Sequence, residues 1–191
     1  MLTEDKVLEI LKETEVLLEG HFLLTSGKHS DRYLQCARVL QYPHHAAVLC
    51  GALAEHFASA KPQLCIGPAL GGVIIAYETA RSLGVRGIFA ERDKDGEMEL
   101  RRGFNVKPGE RVLVLEDVVT TGGSVLEVVN LVKDMGGEVV GVGSIVDRSG
   151  GMADFDVPFT SLIKLDAKAF DSADCPLCLQ GIPAVKPGSR K

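Results

Sequence analysis

Two carboxylates and three hydroxyls crowd into nine consecutive residues of this chain. They are Glu116, Asp117, Thr120, Thr121 and Ser124, in the stretch VLVLEDVVTTGGSVLEVV over residues 112–129. An apolar run precedes the acids and another follows the hydroxyls. The pattern predicts a strand ending at Glu116, a glycine-containing loop, and a helix beginning near Gly123. A loop at a helix N-terminus aims backbone N–H groups at its ligand, and the helix dipole favours an anion there. Gly122 and Gly123 permit close approach or positive φ, and the three hydroxyls add donors. A phosphate is the natural occupant. Carboxylates at the mouth of such a cradle would repel a phosphate unless they serve another group. Accepting hydrogen bonds from a sugar diol, or drawing in a cation such as Mg2+, are the tasks that fit. A phosphorylated ribose meets all these requirements. The bland alternative is a loop whose Thr and Ser are only helix caps, and an acid pair on so apolar a strand weighs against it.

Rival phosphate motifs are absent. There is no G-x-x-x-x-G-K-[ST], and no G-x-G-x-x-G follows a strand; GVGSIV, residues 141–146, falls inside one. Three other loops carry chemistry. GPALGG, residues 67–72, follows a short apolar strand and opens a helix. ERDKDGEMELRRGF, residues 91–104, holds nine charges between Glu91 and Gly103; by composition alone it is a solvated hairpin. SIVDRSGG sets Arg148 just past a strand end, where a surface arginine is the plain reading.

Positioning these loops requires a regular framework. Residues 3–18 read as a helix with Thr3 as N-cap, and residues 20–40 as two extended pieces around a Ser-Gly turn. PHHAAVLCGALAEHFASA reads as a helix started by Pro43. A rhythm of strand and helix follows. QLCIG, VRGIFAE, RVLVLE, EVVGVGSIVD and PFTSLIKL are strands, and helices follow the first and third of them. Such alternation predicts a parallel sheet in a three-layer α/β domain. The chemistry-bearing loops all follow strand C-termini, where open α/β sheets bind ligands. The organisation expected is one domain over 1–191: a hood region over 1–42, an α/β core over 43–172 and an irregular tail over 173–191.

Composition sets the bounds. The 191 residues are 46% hydrophobic and 25% charged, with a net charge of -5. That balance suits one soluble domain and disfavours nucleic-acid binding by bulk electrostatics. No apolar run approaches the roughly 18 residues of a membrane span. The acidic, amphipathic start does not read as a signal peptide, so the cytoplasm is expected. Five scattered cysteines, Cys36, Cys50, Cys65, Cys175 and Cys178, argue against a disulfide framework. CPLC is the only CxxC. With no second half-site and no paired HxxxH, it reads as a tail bearing two thiols rather than as structural zinc.

VLVLEDVVTTGGSV resembles the signature of the type I phosphoribosyltransferases, which use 5-phospho-α-D-ribose 1-diphosphate (PRPP). The resemblance implies their fold, a parallel-sheet α/β core with a small N-terminal hood. It implies that Glu116 and Asp117 hold the ribose hydroxyls, and that Val118, Val119, Thr120, Thr121, Gly122, Gly123 and Ser124 surround the 5-phosphate. GPALGG resembles the family's pyrophosphate loop, which carries that role to Pro68, Ala69, Leu70 and Gly71. Some members have a lysine in this loop; this chain has Leu70 and Gly71 there. The charged segment is similar to the family's mobile lid, with Arg92 and Lys94 acting in catalysis beside Asp117, and with Arg101 and Arg102 free to hold the stem. Lid residues would reach a partner subunit's site in a homodimer.

FLLTSGKHSDRYLQCARVL, residues 22–40, and Arg148 resemble the orotate branch of the family. There the resemblance gives orotate contacts to Thr120, Arg148 and Lys28. Some members read leucine-lysine-serine-glycine where this chain has Leu24-Thr25-Ser26-Gly27. An arginine fork suits a carboxylate-bearing base. Mg2+ is the implied cofactor, held mainly through PRPP, with Asp117 as a possible direct ligand. A phosphoribosyltransferase for another base, and a PRPP-binding transcriptional regulator of the same fold, are the alternatives.

Overall fold

The computed structural model describes residues 2–24, 27–165 and 169–186. Thr25 and Ser26 of the hood turn lie outside them. Helix α1 (Glu4–Glu13) starts where the Thr3 hydroxyl accepts a hydrogen bond from Lys6 N, and it buries Val7, Ile10 and Leu11. It stops short of the expected residue 18. Glu15 takes a φ of 51° and Val16 N donates back to Leu11 O, which turns the chain into strand β1 (Leu17–Leu23). Strand β2 (His29–Leu34) pairs with β1 antiparallel. A short helix α2 (Ala37–Leu40), not foreseen from the sequence, leads to α3 (Pro43–Phe57), with Pro43 in its first turn.

The core then follows the expected rhythm. Its elements are β3 (Leu64–Pro68), α4 (Gly71–Leu83), β4 (Arg86–Arg92), β5 (Met98–Glu99), β6 (Arg111–Val119), α5 (Gly123–Asp134), β7 (Glu138–Asp147) and β8 (Phe159–Lys164). Strand order in the main sheet is β5-β4-β3-β6-β7-β8. All neighbours are parallel except β4 and β5, which form an antiparallel hairpin. Chain order reverses between β3 and β6. That switch point, at the strands' carboxyl ends, is where an open α/β sheet leaves a crevice.

Strand β6 is buried on both faces, which explains its unbroken apolar run. Leu113 and Leu115 pack into the cluster holding Leu49 and Leu53 of α3 and Ile75 of α4. Val112 and Val114 pack into the opposite cluster with Val125, Val128 and Val132 of α5. Three layers result, with α3 and α4 on one face and α5 on the other. Truncating Leu113 or Leu115 to Ala would cost about 2–5 kcal/mol. The strand does not end at Glu116. Val118 and Val119 continue the ladder opposite Val146 and Asp147 because β7 stays extended that far.

The end of the chain returns to the hood. Strand β9 (Ala169–Phe170) adds to β2 as the third strand of the hood sheet. A short helix α6 (Pro176–Leu179) follows, and Val185 bridges to Phe22 of β1. The segment expected to be an irregular tail is therefore partly regular and bonded to the hood. Among the described residues no helix is long and apolar enough to cross a membrane.

Candidate active site

Because β6 runs to Val119, the loop into α5 is only Thr120–Gly122. Gly122 is the N-cap of α5, with φ 80°. A Cβ there would also meet Phe155 Cε1 at 2.9 Å, so two constraints require glycine. Thr120, Thr121 and Ser124 are exposed at the mouth. Glu116 and residues 118–125 enclose a cavity of about 70 Å3 at the helix N-terminus. Gly123 N donates to Thr121 Oγ1 at 3.5 Å; the first-turn N–H groups and the dipole make this end of α5 suited to an anion.

The β3–α4 loop meets the end of β6 backbone to backbone. A Cβ on Gly67 would sit 2.6 Å from Leu115 O, and one on Gly72 2.9 Å from the same oxygen. Ala69 N donates to Ala90 O of β4 at 2.7 Å, and the Ala69–Leu70 peptide is cis. The Leu70 side chain is exposed. A Cβ on Gly71 would lie 2.6 Å from Oδ1 of Asp117. The fold thus joins two motifs more than forty residues apart: Pro68, Ala69, Leu70 and Gly71 on one side, residues 116–124 on the other.

Between them stands the acid pair. Glu116 Oε1 accepts from Asp117 N at 3.1 Å, and Asp117 Oδ1 accepts from Val118 N at 2.8 Å. Burial, and then the adjacent Asp117 charge, push the Glu116 carboxyl well above the usual range. Burial also raises Asp117. Hydroxyl donors or a cation would favour the ionised pair.

Arg148 enters from β7. Its backbone N donates to Val119 O at 2.8 Å, which places it beside the Thr120–Gly122 loop. Its Nε is buried without a hydrogen-bond partner, and burial lowers the guanidinium pKa. Two hood residues, Cys36 and Tyr33, act on it electrostatically. Burial pushes the Cys36 thiol up, followed by the charge of Asp117, while Arg148 opposes the rise. Cys36 of the hood region thus lies within electrostatic reach of both the acid pair and Arg148. Sequence reading did not single out Tyr33 or Cys36, and nothing in their spacing could have.

The charged β4–β5 hairpin is held by pairs within itself and to α5. Arg92 Nη2 pairs with Glu127 of α5 at 2.7 Å, and Arg92 Nη1 donates to Gly96 O at 2.6 Å. Lys94 is exposed, with its ammonium 3.8 Å from Asp95. Arg101 and Arg102 pair with Glu91 in the stem, and Arg102 also stands over the Phe89 ring. Lys28 sits at the hood turn, its ammonium 3.7 Å from Asp171.

A family model described as "Phosphoribosyl transferase domain" matches residues 37–175. An orotate phosphoribosyltransferase from Caldanaerobacter subterraneus is 59% identical over 190 residues, covering 100% of both chains. One from Thermotoga maritima is 59% identical over 182 residues, covering 95% of this chain and 97% of its own. Among solved structures, the Mycobacterium tuberculosis orotate phosphoribosyltransferase in complex with PRPP aligns with a TM-score of 0.67 at 28% identity. That alignment covers 85% of this chain and 96% of the other. Full-length identity of this degree, carried on the strand, loop and helix geometry just described, makes this chain a member of the orotate phosphoribosyltransferase family.

Proposed function

We propose that this chain transfers the 5-phosphoribosyl group of PRPP to orotate, giving orotidine 5-phosphate and pyrophosphate in pyrimidine nucleotide synthesis. The observation that carries this reading is the acid pair, Glu116 and Asp117, held between a helix-terminal anion cradle and the Pro68–Gly71 loop. Residues 120–124 receive the 5-phosphate. The acids accept from the ribose 2- and 3-hydroxyls, which offsets the cost of ionising them in a half-buried site. The 1-diphosphate lies against the amides of Ala69, Leu70 and Gly71.

Orotate N1 bonds to the ribose carbon as the bond to pyrophosphate breaks. The electron pair of the broken bond leaves with pyrophosphate, and configuration inverts from α to β. The ribose passes through an oxocarbenium-like state, so water must be excluded. The lid supplies that cover, with Arg92 and Lys94 meeting the leaving diphosphate. Arg92 must first leave Glu127, an exposed pair worth about 0–1 kcal/mol. Arg148 and Thr120 meet orotate, and the unpartnered Nε of Arg148 gains an acceptor there. A contact from Lys28 requires it to leave Asp171. The N1 proton passes to the leaving diphosphate or to solvent, so no protein general base is assigned and positioning and electrostatics supply the rate.

Hard carboxylate oxygens with raised pKa are a donor set that fits Mg2+. Asp117 is the direct ligand this chain offers, and the ion would offset charge on the diphosphate. The assembly we infer is a cytoplasmic homodimer with each lid serving its partner's site.

The test is orotate consumption, followed by ultraviolet absorbance with PRPP and Mg2+, beside a panel of uracil, xanthine and adenine. Turnover of orotate alone is expected. Turnover of another base in preference to orotate overturns the base assignment, and no turnover of any base overturns the reading.

A further inference from the structure

The thiols of the tail and two hood histidines meet at one point. His21 of β1 and His29 of β2 are diagonal neighbours across the hairpin, His29 being paired with Leu23, and His21 Nε2 lies 2.7 Å from His29 Nδ1. Cys175 Sγ is 3.5 Å from His21 Nε2. Cys178 Sγ is 3.8 Å from His21 Nε2 and 3.2 Å from His29 Nδ1. All four atoms lie within 4.8 Å of one another. Among the described residues no other set of three or more such side chains gathers in this way.

We propose that His21, His29, Cys175 and Cys178 form a structural Cys2His2 zinc site that ties the C-terminal segment to the hood. In a tetrahedral site with Zn–S of about 2.3 Å and Zn–N of about 2.0–2.1 Å, ligand atoms stand roughly 3.3–3.8 Å apart. The separations of 3.2, 3.5 and 3.8 Å fall at or near that range, the two nitrogens at 2.7 Å stand closer, and no pair exceeds 4.8 Å, so an ion would be seated by shifts of about 1 Å or less.

A second observation is independent of those spacings. His21 Nδ1 lies 2.6 Å from Ile182 O. A carbonyl only accepts, so Nδ1 carries the proton and Nε2 presents its lone pair to the cluster. Metal-bound histidines are held by such an outer hydrogen bond. A cluster without an ion satisfies its members poorly: either His29 Nδ1–H takes the His21 Nε2 lone pair that the Cys175 thiol also needs, or two nitrogen lone pairs face each other at 2.7 Å while each thiol donates to one of them. A cation accepts all four. Binding releases a proton from each thiol, and the two thiolates balance the charge of Zn2+. His21 and Cys175 are buried. Cys178 is exposed, which leaves one side of the cluster open to solvent.

The site has a mechanical consequence. Helix α6 is four residues long, too short to hold itself. The backbone bonds Val185 N to His21 O and Leu23 N to Val185 O, at 2.8 and 2.9 Å, attach the segment beyond it to β1. An ion would lock that attachment and brace the hairpin that carries Lys28, Tyr33 and the approach to Cys36.

The experiment uses the full chain, purified under reductant, stripped with chelator and titrated with Co2+ alone, then with Zn2+. One ion per chain is expected, with intense tetrahedral d–d absorption and thiolate-to-cobalt charge transfer that Zn2+ abolishes. Cys178 is exposed, so Cys178→Ser folds. In that variant, and in His29→Gln, Co2+ should bind more weakly by over the roughly 100-fold that loss of a supporting partner gives. Circular dichroism checks that both remain folded, and chelation should lower the wild-type melting temperature. No stoichiometric uptake, a cobalt spectrum lacking thiolate charge transfer, one unchanged by Cys178→Ser, or a Cys175–Cys178 disulfide under reductant would each overturn the proposal.

Discussion

A methyl group on Gly71 would lie 2.6 Å from Oδ1 of Asp117 and 2.8 Å from its Cγ. The loop proposed to hold the leaving diphosphate is thus packed directly on the acid proposed to hold the ribose. Any side chain at Gly71 must push the carboxylate away or shift the loop. Gly71→Ala should lower kcat/KM for PRPP by about 100-fold, the order that a misplacement near 1 Å costs. Its melting temperature should change little by comparison. Steady-state kinetics with varied PRPP checks this, and activity within about twofold of wild type would show that Asp117 has room to move.

The acid pair makes the ligand-free protein sensitive to pH. The carboxyl pKa of Glu116 is raised in the folded chain, so the folded state binds more protons than the unfolded one above the ordinary value of about 4.3. Stability from this group therefore falls as pH rises through that window. Glu116→Gln cannot ionise, so it should melt higher than wild type at pH 8. The difference should narrow at pH 5. The same variant should lose at least about 10-fold in kcat/KM for PRPP, because an amide is a weaker acceptor for the ribose hydroxyls. Differential scanning calorimetry at the two pH values decides it; a lower melting temperature at pH 8 contradicts it.

Arg148 has a buried Nε without a partner, which an orotate carboxylate would satisfy. Arg148→Ala should raise the KM for orotate roughly 10- to 100-fold, the range for a charged hydrogen bond. PRPP affinity, measured by calorimetry, should stay near wild type. Arg148→Lys should not rescue, since a point charge lacks the planar fork. Equal losses for both substrates would place Arg148 in the phosphate site instead.

Arg92 rests on Glu127 of its own chain, yet the lid is proposed to act in trans. Arg92→Ala and Asp117→Asn should each be nearly inactive. Mixed after reversible dissociation, they should regain about a quarter of wild-type activity, because half the dimers are hybrids and each hybrid has one intact site. If the mixture stays inactive while hybrid dimers form, the lid serves its own subunit.

Much of this protein was legible in consecutive residues. The phosphate cradle is a local device, since an apolar strand, an acid pair, a glycine turn and a helix start are all neighbours in sequence. The three-layer α/β sheet follows from alternating apolar runs, which have few other ways to bury both faces. Boundaries depended on tertiary pairing and local turns: β6 passed its acids because pairing with β7 carried it to Val119, and α1 ended where Glu15 turned left-handed.

What the tertiary structure alone decided lies between residues far apart in the chain. Gly71 against Asp117, and Arg148 beside Tyr33 and Cys36, arise from strand order and from the hood's placement. The CPLC motif had no second half-site by spacing because that half is a cross-strand pair, His21 and His29, 154 residues from Cys175 in the case of His21. Antiparallel pairing sets such neighbours by register, and register leaves no mark on sequence distance. The sequence determined which donors and acceptors gather at the β6–α5 loop; folding determined which distant groups that loop stands beside.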